Sequence, residues 1–180
     1  MVAKSRPDLA KIALVIAVIA LAIGGGAYLR WMLVKTPTQA VQAPAAIPKV
    51  VYHADFADPR RFSAMLQSIN NMVTTYQNNF QEYDVRIVFV SHGIRFVTAD
   101  PLKGTPFAED RELRQVRKQL LERLGSLRDV QGVKLELCGI TREAVNVPES
   151  KLIAGVTLVR SGVVRLAELQ HQGFAYLKIE

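Results

Sequence analysis

A single cysteine and four polar residues are the positions in this chain that favour chemistry. Cys138 is the only cysteine among the 180 residues, and it stands where the alternating run 133–138 gives way to Gly139. Three other short runs rich in β-branched residues also end in a polar or ionisable group, at His53, His92 and Ser161. If these runs are parallel strands joined by helices, their carboxyl ends meet at one edge of a sheet, where such sheets bind ligands. The sequence therefore predicts a site around Cys138.

The position of Cys138 at the start of a short helical turn predicts a reactive thiol. Oriented N–H groups at such a position lower the pKa of a thiol and raise its thiolate fraction. Arg142, four residues further on, would act in the same direction if its side chain folded back. The alternative is an inert core cysteine, in which case His53 and His92 would only satisfy backbone groups at strand ends.

Several common catalytic and binding motifs are absent from the sequence. It contains neither a Gly-x-x-x-x-Gly-Lys-Ser/Thr phosphate loop nor a Gly-x-Gly-x-x-Gly after a strand, so nothing favours a nucleotide cofactor. It also lacks a Gly-x-Ser-x-Gly elbow and a His-Glu-x-x-His motif. A lone cysteine excludes an internal disulfide and a cysteine-rich zinc site. The sequence thus predicts no cofactor and no metal.

The positive charge of the chain is concentrated near its amino terminus. The formal net charge is +7, of which +4 falls on residues 1–48, where five basic residues face one acidic residue. The remaining residues carry 18 basic and 15 acidic groups. Because the basic residues of this larger part are interleaved with acids, we expect no nucleic-acid partner.

The stretch 12–29 is uncharged and long enough to cross a bilayer. Tyr28 and Trp31 stand where an interfacial aromatic belt is expected. These features predict one transmembrane anchor over residues 12–34. The basic tail at 1–11 favours a cytoplasmic amino terminus, with the rest of the chain on the periplasmic side of the inner membrane.

A cleaved signal peptide is the alternative to an anchor, because Gly25 and Ala27 have the spacing of a cleavage site after Ala27. Both alternatives place the folded domain outside the cytoplasmic membrane. Residues 35–48 are rich in Pro, Ala, Gln and Thr and show no apolar periodicity, so they are predicted to form an exposed linker. The folded domain is predicted to cover residues 49–180.

Strand-like and helix-like patterns alternate through this domain. The runs that predict strands are 49–53, 84–92, 133–138, 152–159 and 174–179. The patterns that predict helices begin at the Asp58-Pro59 cap with an apolar stripe extending to Phe80, and continue at 110–127 and 163–172. Five strands alternating with helices predict a three-layer α/β domain with a mostly parallel, doubly wound sheet.

Several of these segments together resemble the DsrE/DsrF-like family of sulfur-relay proteins, and its small single-domain members in particular. The matching pieces are Lys-Val-Val-Tyr-His at 49–53, Val-Phe-Val-Ser-His-Gly at 88–93, Gly-Val-x-x-x-x-Cys-Gly at 132–139, Ser-Gly-Val at 161–163 and Leu-Gln-x-x-Gly-Phe-Ala-Tyr-Leu-Lys at 169–178. The resemblance implies a flavodoxin-like sheet, a homotrimer or homohexamer, and a persulfide carried on Cys138.

The residues and the resemblance together favour a membrane-anchored sulfur carrier. Its partners would be a sulfur donor or acceptor protein, or a small sulfane-sulfur species. His92 and Arg142 are predicted to stabilise the Cys138 thiolate, with His53 and Ser161 as supporting neighbours. The alternative is a non-catalytic accessory or scaffold subunit of a membrane complex, and a third possibility is a small-molecule sensor.

Overall fold

The computed structural model describes residues 47–180, and these form a five-stranded sheet flanked by helices. The strand order is β4-β3-β2-β1-β5, and every pairing is parallel. The strands are β1 Lys49–Ala54, β2 Asp84–Phe89, β3 Lys134–Cys138, β4 Val156–Val159 and β5 Ala175–Leu177. The prediction of a flavodoxin-like α/β sheet is therefore confirmed for this part of the chain.

In residues 47–180 four helices connect the strands, and side-chain caps define the starts of three of them. The helices are α1 Pro59–Asn78, α2 Arg111–Asp129, α3 Gly139–Ala144 and α4 Gly162–His171, and two 3-10 turns cover Ser91–Phe96 and Glu149–Lys151. Asp58 accepts a hydrogen bond from the Arg60 N–H at 2.7 Å before α1. Asp110 and Ser161 cap α2 and α4 in the same way. These caps satisfy N–H groups that have no partner within the helix.

The helices cover the two faces of the sheet unequally. The larger core lies between one face and the helices α1 and α2, and it includes Leu135 and Leu137 of β3. The smaller core lies under α4, where Leu166 and Leu169 pack on the opposite face. Because successive side chains of a strand point to opposite faces, the residues of β3 that alternate with these leucines, including Cys138, belong to the α4 side.

Several sequence-based boundaries differ from the structure. The strands predicted at 84–92 and 174–179 are shorter, at Asp84–Phe89 and Ala175–Leu177. The fourth strand was predicted to begin at Leu152, whereas β4 begins at Val156. Leu152 instead forms an isolated antiparallel bridge with Thr98, and Gly155 then turns the chain with a φ of +76°.

The helical stripe predicted to include Phe80 ends earlier, because α1 stops at Asn78. Phe80 adopts a φ of +52° and its side chain is 98% exposed. The left-handed turn takes it out of the helical path, so it contributes nothing to the core.

The predicted anchor at 12–34 and almost all of the predicted linker at 35–48 lie outside the described residues. Within residues 47–180, no helix combines the length and the apolar character that a membrane span requires.

Candidate functional site

Cys138 lies at the junction of three elements. It is the last residue of β3 and the N-cap residue of α3, and only 4% of it is exposed. The first residue of α4, Gly162, packs directly over it. A Cβ added at Gly162 would lie 3.0 Å from the Cys138 Cβ and 2.5 Å from Cγ2 of Val90. The absence of a side chain at Gly162 is what lets the start of α4 approach the thiol.

The surroundings of Cys138 favour its thiolate. Burial raises the pKa of the thiol, but the Thr141 hydroxyl and the backbone N–H groups of Gly162, Thr141 and Ile140 lower it by more, so the pKa lies below its ordinary value. The Cys138 side chain does not form a regular capping hydrogen bond with α3. A lowered pKa raises the fraction of the thiol that is present as the nucleophilic thiolate at a given pH.

Thr141 belongs to this site although sequence reasoning did not single it out. Its Oγ1 accepts a hydrogen bond from the Ser91 N–H at 3.0 Å, which ties α3 to the end of β2. The signal that could have found it is the spacing Cys-x-x-Thr, because the third residue of a helix characteristically reaches back toward the N-cap residue.

Ser161 is the predicted companion that the structure places alongside Cys138. It caps α4, with its Oγ accepting from the Val164 N–H at 3.4 Å, and it immediately precedes Gly162. Ser161 also lines a cleft of about 520 Å³ together with Ile140, Val159, Arg160, Val164, Arg165 and Glu168. Ile140 follows Cys138 by two residues and Ser161 directly precedes Gly162, so this cleft opens beside the two helix starts that surround the thiol.

His92 and Arg142 make other contacts. The His92 ring packs edge-on against Phe107, with a centroid separation of 4.9 Å. The Arg142 guanidinium donates to the Val147 carbonyl at 2.8 Å and lies 3.6 Å from the Glu143 carboxylate. Neither His92 nor Arg142 is among the groups that lower the pKa of Cys138.

His53 forms a separate cluster where β1 and β5 meet. Its Nδ1 lies 2.9 Å from the Tyr176 hydroxyl, and its Nε2 lies 3.9 Å from the Asp55 carboxylate. Burial lowers the pKa of the imidazole, which outweighs the raising effect of Asp55. No group of three or more potential metal ligands occurs within the described part of the chain.

The comparisons with known proteins identify the family. Residues 49–179 match the DsrE/DsrF-like family. No match was found among curated proteins.

Two solved structures are similar to the chain. One is the protein of unknown function MTH1491 from Methanobacterium thermoautotrophicum, which is 23% identical with a TM-score of 0.55, over 73% of this chain and 98% of that one. The other is the ychN protein from E. coli, which is 21% identical with a TM-score of 0.47, over 74% of this chain and 100% of that one. Because the family match covers well over half of its residues, the chain belongs to the DsrE/DsrF-like family, a membership that suggests a sulfur-relay role at the family level.

Proposed function

We propose that this protein is a carrier that accepts sulfane sulfur on Cys138 and passes it to an acceptor thiol. The observation that carries the proposal is the set of donors around the only thiol, which lowers the pKa of Cys138 although the side chain is buried. Family membership supports the same chemistry, because the matched residues include Cys138.

The transfer consists of two displacements at sulfur. The Cys138 thiolate attacks the terminal sulfur of a donor persulfide, RS–SH, and the S–S bond of the donor breaks. The donor leaves as the thiolate RS⁻, and Cys138 becomes the persulfide Cys–S–SH. An acceptor thiolate then attacks that outer sulfur, and Cys138 leaves as its own thiolate. No net oxidation occurs in either step.

A lowered thiol pKa assists both displacements. In the first step it supplies thiolate at neutral pH, and the thiolate rather than the thiol is the nucleophile. In the second step it makes Cys138 a better leaving group, because exchange is faster when the departing thiol has a low pKa. The four donors that face the sulfur are therefore suited to a residue that must both take and release a sulfur atom.

The cleft beside Ser161 is the proposed route of approach. Cys138 is nearly covered, so the donor must reach it past the start of α3 or α4. The cleft combines apolar walls at Ile140 and Val164 with the guanidinium of Arg160. Those walls suit either a cysteine-bearing segment of a partner protein or a small sulfane-sulfur species.

The experiment is to incubate the purified protein with a low-molecular-weight persulfide and measure its intact mass. We expect the mass to rise by one sulfur atom and to return to its original value when an acceptor thiol is added. Cys138→Ser is the matched control and should gain nothing. A wild-type protein that titrates a low-pKa thiol but never gains sulfur would contradict the proposal.

That negative result would favour the accessory-subunit alternative. The observation that favours this alternative is the apolar surface around the cleft. Ile140, Val163 and Val164 are 58%, 66% and 55% exposed there. Exposed apolar groups clustered in this way are typical of contact surfaces. In that case Cys138→Ser should behave as wild type in cells, whereas polar substitutions at Val163 should not.

We further propose that residues 12–34 anchor the protein in the inner membrane with the domain on the periplasmic side, and that the protein forms a homotrimer or homohexamer. The uncharged stretch and the preceding basic tail support the anchor and its orientation. Protease added to intact spheroplasts should digest the domain, and a protected domain would reverse the orientation.

A further inference from the structure

We propose that the cleft beside Cys138 binds a small sulfur donor that carries a carboxylate, and that the guanidinium of Arg160 selects this donor. The proposal deepens the sulfur-carrier function, on which its biological meaning rests, because it names the chemical class of the donor. Three features of the cleft carry it: the position of Arg160, the balance of charge and the size of the cleft.

The first argument is the position of Arg160. Val159 pairs with Cys138 across β4 and β3, and Arg160 follows it directly. The start of α3 packs against this segment, because a Cβ added at Gly139 would lie 3.1 Å from the Val159 carbonyl oxygen and 3.9 Å from the Arg160 Cα. Two residues later, a Cβ added at Gly162 would lie 3.6 Å from the Cys138 Sγ. The short segment that contains Arg160 therefore passes beside the thiol.

The second argument is the balance of charge in the cleft. Its ionisable lining residues are Arg160, Arg165 and Glu168. The Arg165 guanidinium lies 2.7 Å from the Glu136 carboxylate and 3.6 Å from that of Glu168. These residues belong to one network of three basic and three acidic side chains, namely Lys134, Arg86 and Arg165 with Asp84, Glu136 and Glu168. The charges within this network therefore balance.

Arg160 takes no part in that network. It is exposed, and in the part of the chain that the structure describes no acidic side chain pairs with its guanidinium. A planar guanidinium binds a carboxylate through two parallel N–H···O hydrogen bonds. A donor that carries a carboxylate would otherwise be repelled by the Cys138 thiolate, since both are negative, and the positive charge of Arg160 offsets this repulsion.

The third argument is the size of the cleft. Its volume of about 520 Å³ lies within the range of small-molecule sites, roughly 300–1,000 Å³. Ile140, Val159 and Val164 provide apolar walls for the hydrocarbon part of a donor. Only 4% of Cys138 is exposed, so a slender molecule reaches the sulfur more readily than a folded protein surface does. The cleft therefore suits a short organic persulfide whose carboxylate binds Arg160 while its outer sulfur meets Cys138.

The experiment compares the rates at which iodoacetate and iodoacetamide alkylate the full-length protein, measured by intact mass, with Cys138→Ser as the blank. The two reagents are alike in shape and both lose iodide to the thiolate, but only iodoacetate carries a carboxylate. Because both react with the same thiolate, the pKa of the thiol cancels from the ratio of the two rates. We expect this ratio to be higher for the wild-type protein than for a small free thiol.

Substitutions of Arg160 should change this ratio according to their charge. Arg160→Gln should lower it by about two- to fivefold, the effect of losing one solvent-screened charge pair. Arg160→Glu should lower it further, and Arg160→Lys should retain most of it. Raising the ionic strength from about 0.01 M to about 0.5 M should bring the wild-type ratio toward that of Arg160→Gln, because salt screens exposed charges.

The matched control is Arg111→Gln, which makes the same change in net charge. Arg111 is also exposed, but it begins α2, which packs on the opposite face of the sheet. Arg111→Gln should leave the ratio unchanged. The proposal is overturned if Arg160→Gln, shown to be folded by circular dichroism, keeps the wild-type ratio, or if Arg111→Gln lowers it equally. It is also overturned if Cys138 of the folded protein reacts with neither reagent.

The outcome is separable from that of the proposed function, because alkylation needs no sulfur donor. A protein that gains sulfur, but whose ratio of rates does not depend on Arg160, would sink this inference and leave the carrier function standing. A protein that never gains sulfur, but whose ratio falls in Arg160→Gln, would retain a cleft that recognises carboxylates and would lose the carrier function.

Discussion

At the scale of single residues, the site depends on a close approach at Gly162. The start of α4 lies against Val90 of the segment after β2 and against Cys138 of β3, and no side chain fits between them. A glycine is needed here for space and not for its backbone conformation. The same residue supplies one of the N–H groups that lower the thiol pKa. The close packing that requires a glycine at position 162 therefore also brings its N–H group near the thiol.

We predict that Gly162→Ala destabilises the fold by about 1–3 kcal/mol, because the new methyl group would overlap Val90 and displace α4. Urea unfolding would measure the loss. Gly125→Ala is the matched control: Gly125 lies within α2 with open space around its Cα, so the alanine should stabilise the protein by about 0.5–1 kcal/mol. Equal changes in the free energy of unfolding for Gly162→Ala and Gly125→Ala would contradict the close approach of α4 to Val90 and Cys138.

At the scale of elements, a buried carboxylate joins α4 to the sheet. Glu136 of β3 accepts from Arg165 of α4 at 2.7 Å and from Arg86 of β2 at 2.8 Å. Burial alone would raise the pKa of Glu136, but the two guanidinium groups lower it by more. This ion-pair network holds α4 one turn beyond Gly162, so it helps to keep the start of the helix over Cys138.

We predict that Glu136→Gln destabilises the protein by about 1–3 kcal/mol at pH 7, because the partly buried Arg86 and Arg165 would lose the buried carboxylate that joins them and keep only Asp84 and Glu168 as partners. Since the folded-state pKa of Glu136 is lowered, its stabilising effect is complete above the unfolded-state pKa of about 4.3 and is lost as the pH falls through the folded-state value. Urea unfolding from pH 7 to pH 3 should show the difference between wild type and variant shrinking in acid.

The control for this prediction is Glu168→Gln. Glu168 also lies near Arg165, at 3.6 Å, but its side chain is largely exposed. Its replacement should change stability by less than about 0.5 kcal/mol. A comparable loss of stability in both variants would show that the stabilising effect of Glu136 does not depend on its buried position between β2 and α4.

At the scale of the whole molecule, the sheet formed by residues 47–180 is covered unevenly, and no further strand of that part pairs with its edge strands β4 and β5. Within the described residues, α4 is the helix that packs on its face of the sheet, and the three residues of the edge strand β5 are all exposed. The apolar residues Val163 and Val164 point away from the core at the rim beside Cys138. Surfaces of this kind are commonly buried by association, which would bring a neighbouring subunit to the cleft.

We predict that a fragment covering residues 47–180 folds and associates into trimers or hexamers, because its helices α1, α2 and α4 pack on its own strands. Light scattering should report the assembled mass at micromolar concentration. Val163→Asp should release monomers without unfolding them, whereas Val130→Asp, at the opposite end of the sheet, should leave the assembly intact. A strictly monomeric wild-type fragment would refute both the assembly and the idea of a shared site.

The elements of the fold could be predicted from the sequence because their causes are local. Alternation of apolar residues marks β3, and the Asp58-Pro59 cap marks the start of α1, since a cap acts within three residues of itself. The place of Cys138, at the end of a strand and the start of a helical turn, follows from the same short-range pattern. Residue types and their immediate neighbours were enough to locate the thiol in the fold.

The surroundings of the thiol were decided by tertiary structure. Thr141 meets Ser91 across 50 residues of chain, and Gly162 covers Cys138 from a helix that follows a different strand. These contacts depend on the order of the strands and on the packing distance of α4, which arise from burial across the whole sheet. The sequence by itself determined where the sulfur stands and which groups of α3 follow it, and only long-range packing decided that Gly162 covers it and that Ser91 bonds Thr141.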